Sequence, residues 1–232
     1  MRRRSAWVLS WSGLAVSVFT LSGADGGAIS GRITTPDGAG VDAALTLHDL
    51  ETVRVVGNQA FDHQFSSKRN GDFALADVPP GKYEICVDAP HRAVLDPCRW
   101  GTSEKFSVKA GETTSKIDVT VERGYRLEVR IDDPKKLLPN APGGIPGAAL
   151  LLAIQSAKGR YENLRLETDD AAGRTQFLVI PYDTPLTLVA TGSGIALSDS
   201  NDKRYTGDSI RIPVLVASGS TLPVIKLKVK KP

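Results

Sequence analysis

Residues 70–88 constrain the possible folds more than any other stretch, because they contain two predicted strands and the turns that orient them. An Asn-Gly pair tolerates positive φ, so Gly71 is predicted to close a tight turn between Phe65 and Phe73. Phe73 and Leu75 then alternate with polar or small residues, which predicts a short, half-buried strand. The chain is therefore expected to build sheets from short strands joined by tight turns.

A second turn is predicted at Pro79, Pro80 and Gly81, because two successive prolines donate no backbone hydrogen bond and cannot lie inside a sheet. Pro-Gly suits the central positions of a type II turn, which requires positive φ at the glycine. The next strand alternates with period two, and its buried face is predicted to comprise Tyr83, Ile85 and Val87. Its other face, which includes Cys86, is expected to meet solvent.

Similar alternation recurs along the first half of the chain, with turn signals between the strands. An edge strand is predicted at 53–56, and clearer strand patterns lie at residues 28–34, 43–47, 61–65, 105–108 and 114–121. The 22 glycines and 14 prolines among the 232 residues favour many turns and few long helices. Short, regularly spaced strands of this kind predict an all-β, antiparallel β-sandwich.

Five motifs in the first half follow one another in a recognisable order. They are Ile29-x-Gly31-x-Ile33, Pro36-Asp37-Gly38, Val41-x-x-Ala44, Asn70-Gly71-Asp72-Phe73 and Val78-Pro79-Pro80-Gly81. Together they resemble the carboxypeptidase regulatory-like domain, a transthyretin-like sandwich, over residues 28–122. The resemblance implies a noncatalytic module of exported or surface proteins, and its grouping with carbohydrate-binding-like sandwiches implies a sugar role. Residues 86–100 depart from the pattern as an insertion, to which the resemblance assigns no function.

The second half repeats the same landmarks in degenerate form. The residues that correspond by type are Ile131 with Ile33, Gly173 with Gly71, Ile180 with Val78, and Leu186, Leu188 and Ala190 with Tyr83, Ile85 and Val87. Loop insertions account for the small differences in spacing. The sequence therefore predicts two tandem antiparallel β-sandwich domains, residues 25–124 and 125–232.

Residues 1–24 match a secretory signal peptide, with three arginines, an apolar run and small residues before Asp25. An uncleaved membrane anchor is the alternative, although the run at 6–21 is shorter than the roughly 20 apolar residues that a spanning helix needs. Cleavage near Ala24 would leave no transmembrane span. No cysteine follows directly, so a lipid anchor is not indicated.

The charge balance changes when the predicted signal peptide is set aside. The chain has 29 Lys and Arg against 26 Asp and Glu, and residues 1–24 hold three of the basic residues and none of the acidic ones. The remainder is neutral, which argues against binding to nucleic acid or anionic membrane. Residues 25–124 hold 11 basic and 15 acidic residues and residues 125–232 hold 15 and 11, so opposite charges would weakly favour docking of the halves.

Cys86 and Cys98 are the two cysteines of the chain. An even number of cysteines after a signal peptide predicts an oxidising compartment and one disulfide, which would pin residues 89–97 across the polar face of the strand. Two unpaired thiols are the alternative.

Two short motifs suggest catalysis but lack partners. His48-x-x-Glu51 matches two zinc ligands of zinc carboxypeptidases, but a catalytic zinc needs a third ligand, and only His63 and His91 remain. Ser209 lies in a Gly-Asp-Ser block like that of some esterases, but no histidine base follows residue 91. The favoured interpretations are a solvated strand end for His48-x-x-Glu51 and a turn for the Gly-Asp-Ser block.

Acidic pairs that could bind calcium match no calcium loop and are interpreted as turn residues: Asp132-Asp133, Asp169-Asp170 and Asp199 with Asp202.

A binding patch is considered on the disulfide-held loop. Trp100 is the single tryptophan after residue 24, and with His91, Arg92 and Arg99 it could contact a ligand. The favoured interpretation is that Trp100 covers the disulfide or packs into the sandwich, as large aromatic residues usually do. A second aromatic patch is considered at Tyr161, Tyr182 and Tyr205.

These patterns favour a noncatalytic exported module that binds or supports an envelope or extracellular protein, without a cofactor or a metal. Carbohydrate binding through Trp100 is the alternative, in which the partner is a glycan. An enzyme acting through Ser209 is the third hypothesis, and it lacks a base within the sequence pattern.

Overall fold

The computed structural model describes most of the chain beyond the predicted signal peptide. The described residues are 26–51, 62–101, 103–138, 147–157, 159, 161–170, 173–199, 204–205 and 209–231. The signal peptide and the edge strand predicted at 53–56 lie outside these ranges. Within them, no helix is both long and apolar enough to cross a lipid bilayer.

The first half contains seven described strands and two short helical turns. The strands are β1 (Gly27–Thr34), β2 (Ala44–Asp49), β3 (Asp62–Ser66), β4 (Asp72–Val78), β5 (Gly81–Asp88), β6 (Lys105–Val108) and β7 (Thr113–Thr120). Between β5 and β6 lie a 3-10 helix (Pro90–Arg92) and the four-residue helix α1 (Pro97–Trp100). The strand patterns predicted at 105–108 and 114–121 agree with β6 and β7 to within one residue.

These strands form two sheets, with strand orders β4-β1-β7 and β3-β2-β5-β6. All neighbours are antiparallel except β1 and β7, which run parallel. One cluster of buried apolar residues draws on both sheets, including Ile29 and Ile33 from β1 and the predicted inner face of β5: Tyr83, Ile85 and Val87. The all-β class is confirmed, and a core shared by two sheets fits a β-sandwich.

The second half contains ten described strands. They are β8 (Tyr125–Asp132), β9 (Ala149–Ser156), β10 (Tyr161–Asn163), β11 (Arg165–Asp170), β12 (Gly173–Ile180), β13 (Leu186–Ser193), β14 (Ala196–Ser198), β15 (Arg204–Tyr205), β16 (Ile210–Val214) and β17 (Ile225–Lys230). Their sheets have the orders β10-β9-β13-β16 and β11-β12-β8-β17-β14-β15. A second buried apolar cluster lies between them and includes Leu127, Ile131 and Leu188.

The strand pairing of the first half recurs in the second. β8 lies between β12 and β17 as β1 lies between β4 and β7, and the β8–β17 pair is parallel like β1–β7. β13 lies between β9 and β16 as β5 lies between β2 and β6. Strands β11, β14 and β15 have no counterpart among the described strands of the first half. The repeated landmarks in the sequence therefore correspond to a repeated pairing scheme.

Gly71 closes the turn before β4, as the sequence predicts. Its φ is 89°, and its backbone N–H donates to the carbonyl of Lys68 over 2.8 Å. A Cβ at Gly71 would lie 2.1 Å from the carbonyl oxygen of Ile33. The equivalent Cβ at Gly173 would lie 1.9 Å from the carbonyl oxygen of Ile131, so both halves use glycine at the same close approach.

The type II turn predicted at Pro80-Gly81 is wrong. Gly81 is the first residue of β5 and pairs with Val108 of β6, and its φ is not positive. Positive φ occurs instead at Asp77 (57°), where β4 shifts its register against β1. The Tyr83 hydroxyl donates a 2.9 Å hydrogen bond to the carbonyl of Pro79, which ties the connection to β5. Pairing with β6 thus holds the backbone of Gly81 in an extended conformation, although a glycine could also adopt the positive φ of a turn.

Candidate functional site

The predicted disulfide between Cys86 and Cys98 is present. It fixes the segment from residue 89 to residue 101, here called the disulfide-held segment, to β5. Asp96 caps α1, and its Oδ1 accepts hydrogen bonds from the backbone N–H groups of Cys98 and Val87, each over 3.1 Å. Burial raises the pKa of Asp96 even though these hydrogen bonds act in the opposite direction. The segment is therefore held to the first half by the disulfide and by the partly buried carboxylate of Asp96.

The disulfide-held segment also pairs with the chain that links the two halves. The backbone N–H of Leu95 donates to the carbonyl of Glu122 over 2.8 Å, and that of Gly124 donates to the carbonyl of Ala93 over 2.7 Å. Leu95 and Gly124 are both buried. Since β8 begins at Tyr125, these bonds place the start of the second half directly against the segment.

Three side chains of the first half contact the second. Arg165 of β11 donates to the carboxylate of Asp88. The Nε atom of Arg99 lies 3.6 Å from a carboxylate oxygen of Glu162 and 3.2 Å from one of Asp96. Trp100 is partly buried against the apolar cluster of the second half. Trp100 therefore contributes its buried surface to the core of the second half.

A groove of about 700 Å³ opens at this junction. Trp100 and Arg99 line it from the first half, and Tyr182 and Thr184 line it from the second. Leu95, Gly101, Glu122, Ser156, Ala157, Pro181 and Pro185 complete the lining. The groove therefore depends on both halves, and it combines two aromatic side chains with charged and hydroxyl groups.

The predicted patch of four residues is divided between two places. Arg99 and Trp100 lie at the groove, whereas His91 and Arg92 extend to Asp42. The guanidinium of Arg92 is 2.7 Å from Asp42 Oδ1, and His91 Nε2 is 3.6 Å from the same oxygen. The hydrogen bond from Arg92 lowers the pKa of Asp42. His91 and Arg92 thus form an exposed ion-pair group separate from the groove.

Replacing Arg92 with glutamine is expected to raise the pKa of Asp42 toward its ordinary value of 3.8, because the main group that stabilises the carboxylate is removed. The carboxyl chemical shift of Asp42, followed by NMR as a function of pH, measures this change. Arg99→Gln is the matched control, since Arg99 pairs elsewhere and should leave Asp42 unchanged. An unchanged Asp42 titration in Arg92→Gln would contradict the ion pair.

The three tyrosines considered for a second patch lie in different parts of the second half. Tyr161 lies in β10 and Tyr205 in β15, which belong to different sheets. Tyr182 instead contacts Tyr125, with ring centroids 6.2 Å apart in an edge-on arrangement. Of the three, Tyr182 lines the groove beside Trp100.

The two catalytic motifs of the sequence have structural partners instead. His48 Nδ1 lies 2.6 Å from a carboxylate oxygen of Asp62. Ser209 Oγ lies 2.7 Å from the hydroxyl of Thr191, which is not a base. In the part of the chain that the structure describes, the group of side chains close enough for a metal comprises Glu84, Cys86 and Cys98. Both of its sulfurs are in the disulfide.

Among the acidic residues interpreted as turn residues, Asp133 and Asp170 accept hydrogen bonds that hold the fold. Asp133 is 5% exposed, and its two oxygens accept from the backbone N–H groups of Leu137 and Leu138 over 2.9 and 2.8 Å. Asp170 accepts two hydrogen bonds from Arg130, and this contact raises the pKa of the arginine. Asp202 lies outside the described residues.

Asp133→Ala is expected to lower the free energy of unfolding by about 2 kcal/mol, because it leaves two buried N–H groups without acceptors. Urea unfolding followed by circular dichroism measures the change. Asp132→Ala is the neighbouring control, because Asp132 is on the half-exposed face of β8. Equal stability of the two variants would contradict the buried role of Asp133.

Sequence reasoning missed the groove and most of its contacts. No sequence pattern indicates a role for Asp88, Glu162 or Arg165, and none indicates that Tyr182 lies at one groove with Trp100. The opposite charges of the two halves were one available signal, and the Asp88–Arg165 pair has the predicted signs. The Arg99–Glu162 pair has the reverse signs. The net charges of the halves are therefore compatible with docking, but they do not indicate which residues make the contacts.

Comparison with known proteins identifies no family for the chain. No protein-family model matches it, and no curated protein matches it. The assignment to the carboxypeptidase regulatory-like domain therefore stays a prediction.

Several solved structures match over most of the chain. A streptococcal ancillary pilin is 11% identical with a TM-score of 0.39, and the match covers 89% of this chain and 62% of that one. The Bacillus anthracis TIE protein is 13% identical with a TM-score of 0.34. The match covers 88% of this chain and 34% of the TIE protein, so this chain spans about a third of the length of that protein. A DUF3823 family protein from Bacteroides uniformis is 13% identical with a TM-score of 0.31, covering 83% of this chain and 100% of that one. These TM-scores are too low to carry an argument about function, which we base on the chain's own residues.

Proposed function

We propose that the chain is a noncatalytic, exported interaction module made of two tandem β-sandwich domains, residues 25–124 and 125–232. One observation carries the proposal: the disulfide-held segment contacts both apolar clusters, through Ala89 and Val94 in the first and Trp100 on the second. Such contacts favour a single rigid body that presents the loops of both halves in a constant arrangement. A rigid scaffold with exposed loops suits binding better than chemistry.

The first domain in this proposal is a carboxypeptidase regulatory-like sandwich. Support comes from the motif order in the sequence, from the two-sheet core and from the close approach at Gly71. The second domain is a degenerate copy, supported by the repeated strand pairing and by Gly173.

Export is proposed from two independent features. Residues 1–24 have the composition of a signal peptide, and the Cys86–Cys98 disulfide is stable in an oxidising compartment. The module would then act outside the cytoplasm, in the periplasm, at the cell surface or after secretion. Its partner would be an envelope or extracellular protein, or a glycan, since the balanced charge beyond residue 24 disfavours nucleic acid.

A noncatalytic role is supported by the environment of Ser209 and His48. A serine nucleophile needs a base within hydrogen-bond reach, and the neighbour of Ser209 is the hydroxyl of Thr191. His48 is paired with an aspartate on the adjacent strand. Hydrolysis of an ester or peptide substrate that is lost in Ser209→Ala would contradict this part of the proposal.

Two experiments test the proposed function. A fusion of residues 1–24 to alkaline phosphatase, which is active only after export, should be active, and replacing the three arginines at positions 2–4 with glutamate should abolish the activity. Chemical cross-linking of the tagged full chain in envelope extract should then capture a specific protein or glycan. An inactive fusion, together with a full chain recovered in the cytoplasm with reduced cysteines, would overturn the proposal.

A further inference from the structure

Two aromatic side chains from opposite halves line one groove. Trp100 ends α1 and Tyr182 lies directly after β12, and each is only partly buried. Tyr125 packs edge-on against Tyr182, which supports the tyrosine ring from the core side. The groove volume, about 700 Å³, lies in the range of about 300–1,000 Å³ that is usual for small-molecule sites. Two partly buried aromatic side chains that line a concave site of this size favour a ligand with flat apolar faces.

The charges around the groove disfavour an anionic ligand. Arg99 is the cation of the lining, and it already pairs with two carboxylates, those of Asp96 and Glu162. Glu122 adds a further exposed carboxylate. A phosphate or sulfate would meet no excess positive charge here, whereas a neutral polar ligand could use both the donors of Arg99 and the acceptor of Glu122.

The lining also disfavours an extended peptide. Leu95, Glu122, Ala157 and Pro185 lie in loops, and Ser156 ends β9 while paired with Leu186. Among the described residues, the groove lining therefore presents no row of unpaired strand backbone to which a peptide could add a strand. Hydroxyl groups line it instead, from Ser156 and Thr184.

We propose that the groove between the two halves binds a neutral oligosaccharide. The apolar faces of the sugar rings stack on Trp100 and Tyr182, and the sugar hydroxyls bond to Arg99, Glu122 and Thr184. The inference rests on the proposed function, because the groove requires both halves in contact. It names the ligand class and the site, with Tyr182 as the second aromatic contact.

The emission of Trp100 reports directly on this site. Trp7→Phe and Trp11→Phe in the full chain leave Trp100 as the single tryptophan. This protein is titrated with cellotetraose, maltotetraose and chitotetraose up to millimolar concentration. At least one should shift or quench the Trp100 emission with saturation, and Tyr182→Ala should weaken that binding at least tenfold. His91→Ala with Arg92→Ala is the control, expected to bind unchanged because both residues pair with Asp42 away from the groove.

Each other outcome overturns the inference. These are no saturable emission change with any of the three neutral sugars, equal affinity in Tyr182→Ala, or stronger binding of a heparin tetrasaccharide or a decaproline peptide. The rotational correlation times of the two halves, measured by NMR on the same sample, separate this failure from that of the proposed function. Equal times with no sugar binding reject only the sugar site, and unequal times reject the rigid module as well.

Discussion

Removing the disulfide with Cys86→Ala and Cys98→Ala is expected to lower the free energy of unfolding by about 3 kcal/mol. The bond closes a ring across 12 positions of sequence separation. The entropy lost by the unfolded chain when such a ring is closed corresponds to about 3 kcal/mol at 25 °C. The loss should be visible as a lower midpoint in urea unfolding followed by circular dichroism, with the m-value nearly unchanged.

Two comparisons make this result specific. Wild-type protein reduced with a phosphine should unfold at the same urea concentration as the double variant. Cys98→Ala alone should match it, because either change opens the ring. A loss below about 1 kcal/mol would mean that the bond does not constrain the unfolded chain as the ring model requires.

Gly71→Ala is expected to destabilise the protein by about 4 kcal/mol, the largest effect of any single substitution proposed here. Its Cβ would lie 2.1 Å from the carbonyl oxygen of Ile33, and both groups belong to backbone that cannot rotate away. Gly173→Ala should cause a similar loss, because its Cβ would lie 1.9 Å from the carbonyl oxygen of Ile131. The repeated architecture therefore predicts two equivalent, intolerant glycines, one in each half.

Gly38→Ala is the matched control for this pair. Gly38 has φ of 80°, close to the 89° of Gly71, but a Cβ there would meet no atom within 4 Å. Gly38→Ala should lower the free energy of unfolding only by the cost of positive φ for a residue with a Cβ, about 1–2 kcal/mol. Thermal and urea unfolding of the three variants give the comparison. Equal losses in all three would contradict the close approach, and a tolerated Gly173→Ala would contradict the equivalence of the halves.

Local signals in the sequence predict the strands and turns well. Period-two alternation at Tyr83, Ile85 and Val87 identifies the buried face of β5, and the Asn-Gly pair identifies the turn at Gly71. The Cys86–Cys98 bond is predictable because both cysteines lie near one strand and no other cysteine competes. The degenerate motifs of the second half also predict buried positions correctly, since Leu186, Leu188 and Ala190 are buried.

Features that depend on contacts between distant parts of the chain are not predictable in this way. Gly81 is a turn residue by type, but pairing with Val108 extends it. Trp100 and Tyr182 are 82 positions apart in sequence, and no local pattern indicates that docking brings them to one groove. His91 and Arg92 belong to the predicted patch, but they lie in a 3-10 helix and extend to Asp42 instead of the groove.

In the proposed arrangement, two similar sheet bodies are docked through the disulfide-held segment into one rigid unit. Backbone ¹⁵N relaxation by NMR measures the rotational correlation time of each half separately. We expect the same value for residues 27–120 and 125–230, as for one body that contains both. Two values, each close to that of an isolated half, would show that the halves tumble independently and would contradict the docked junction on which the groove depends.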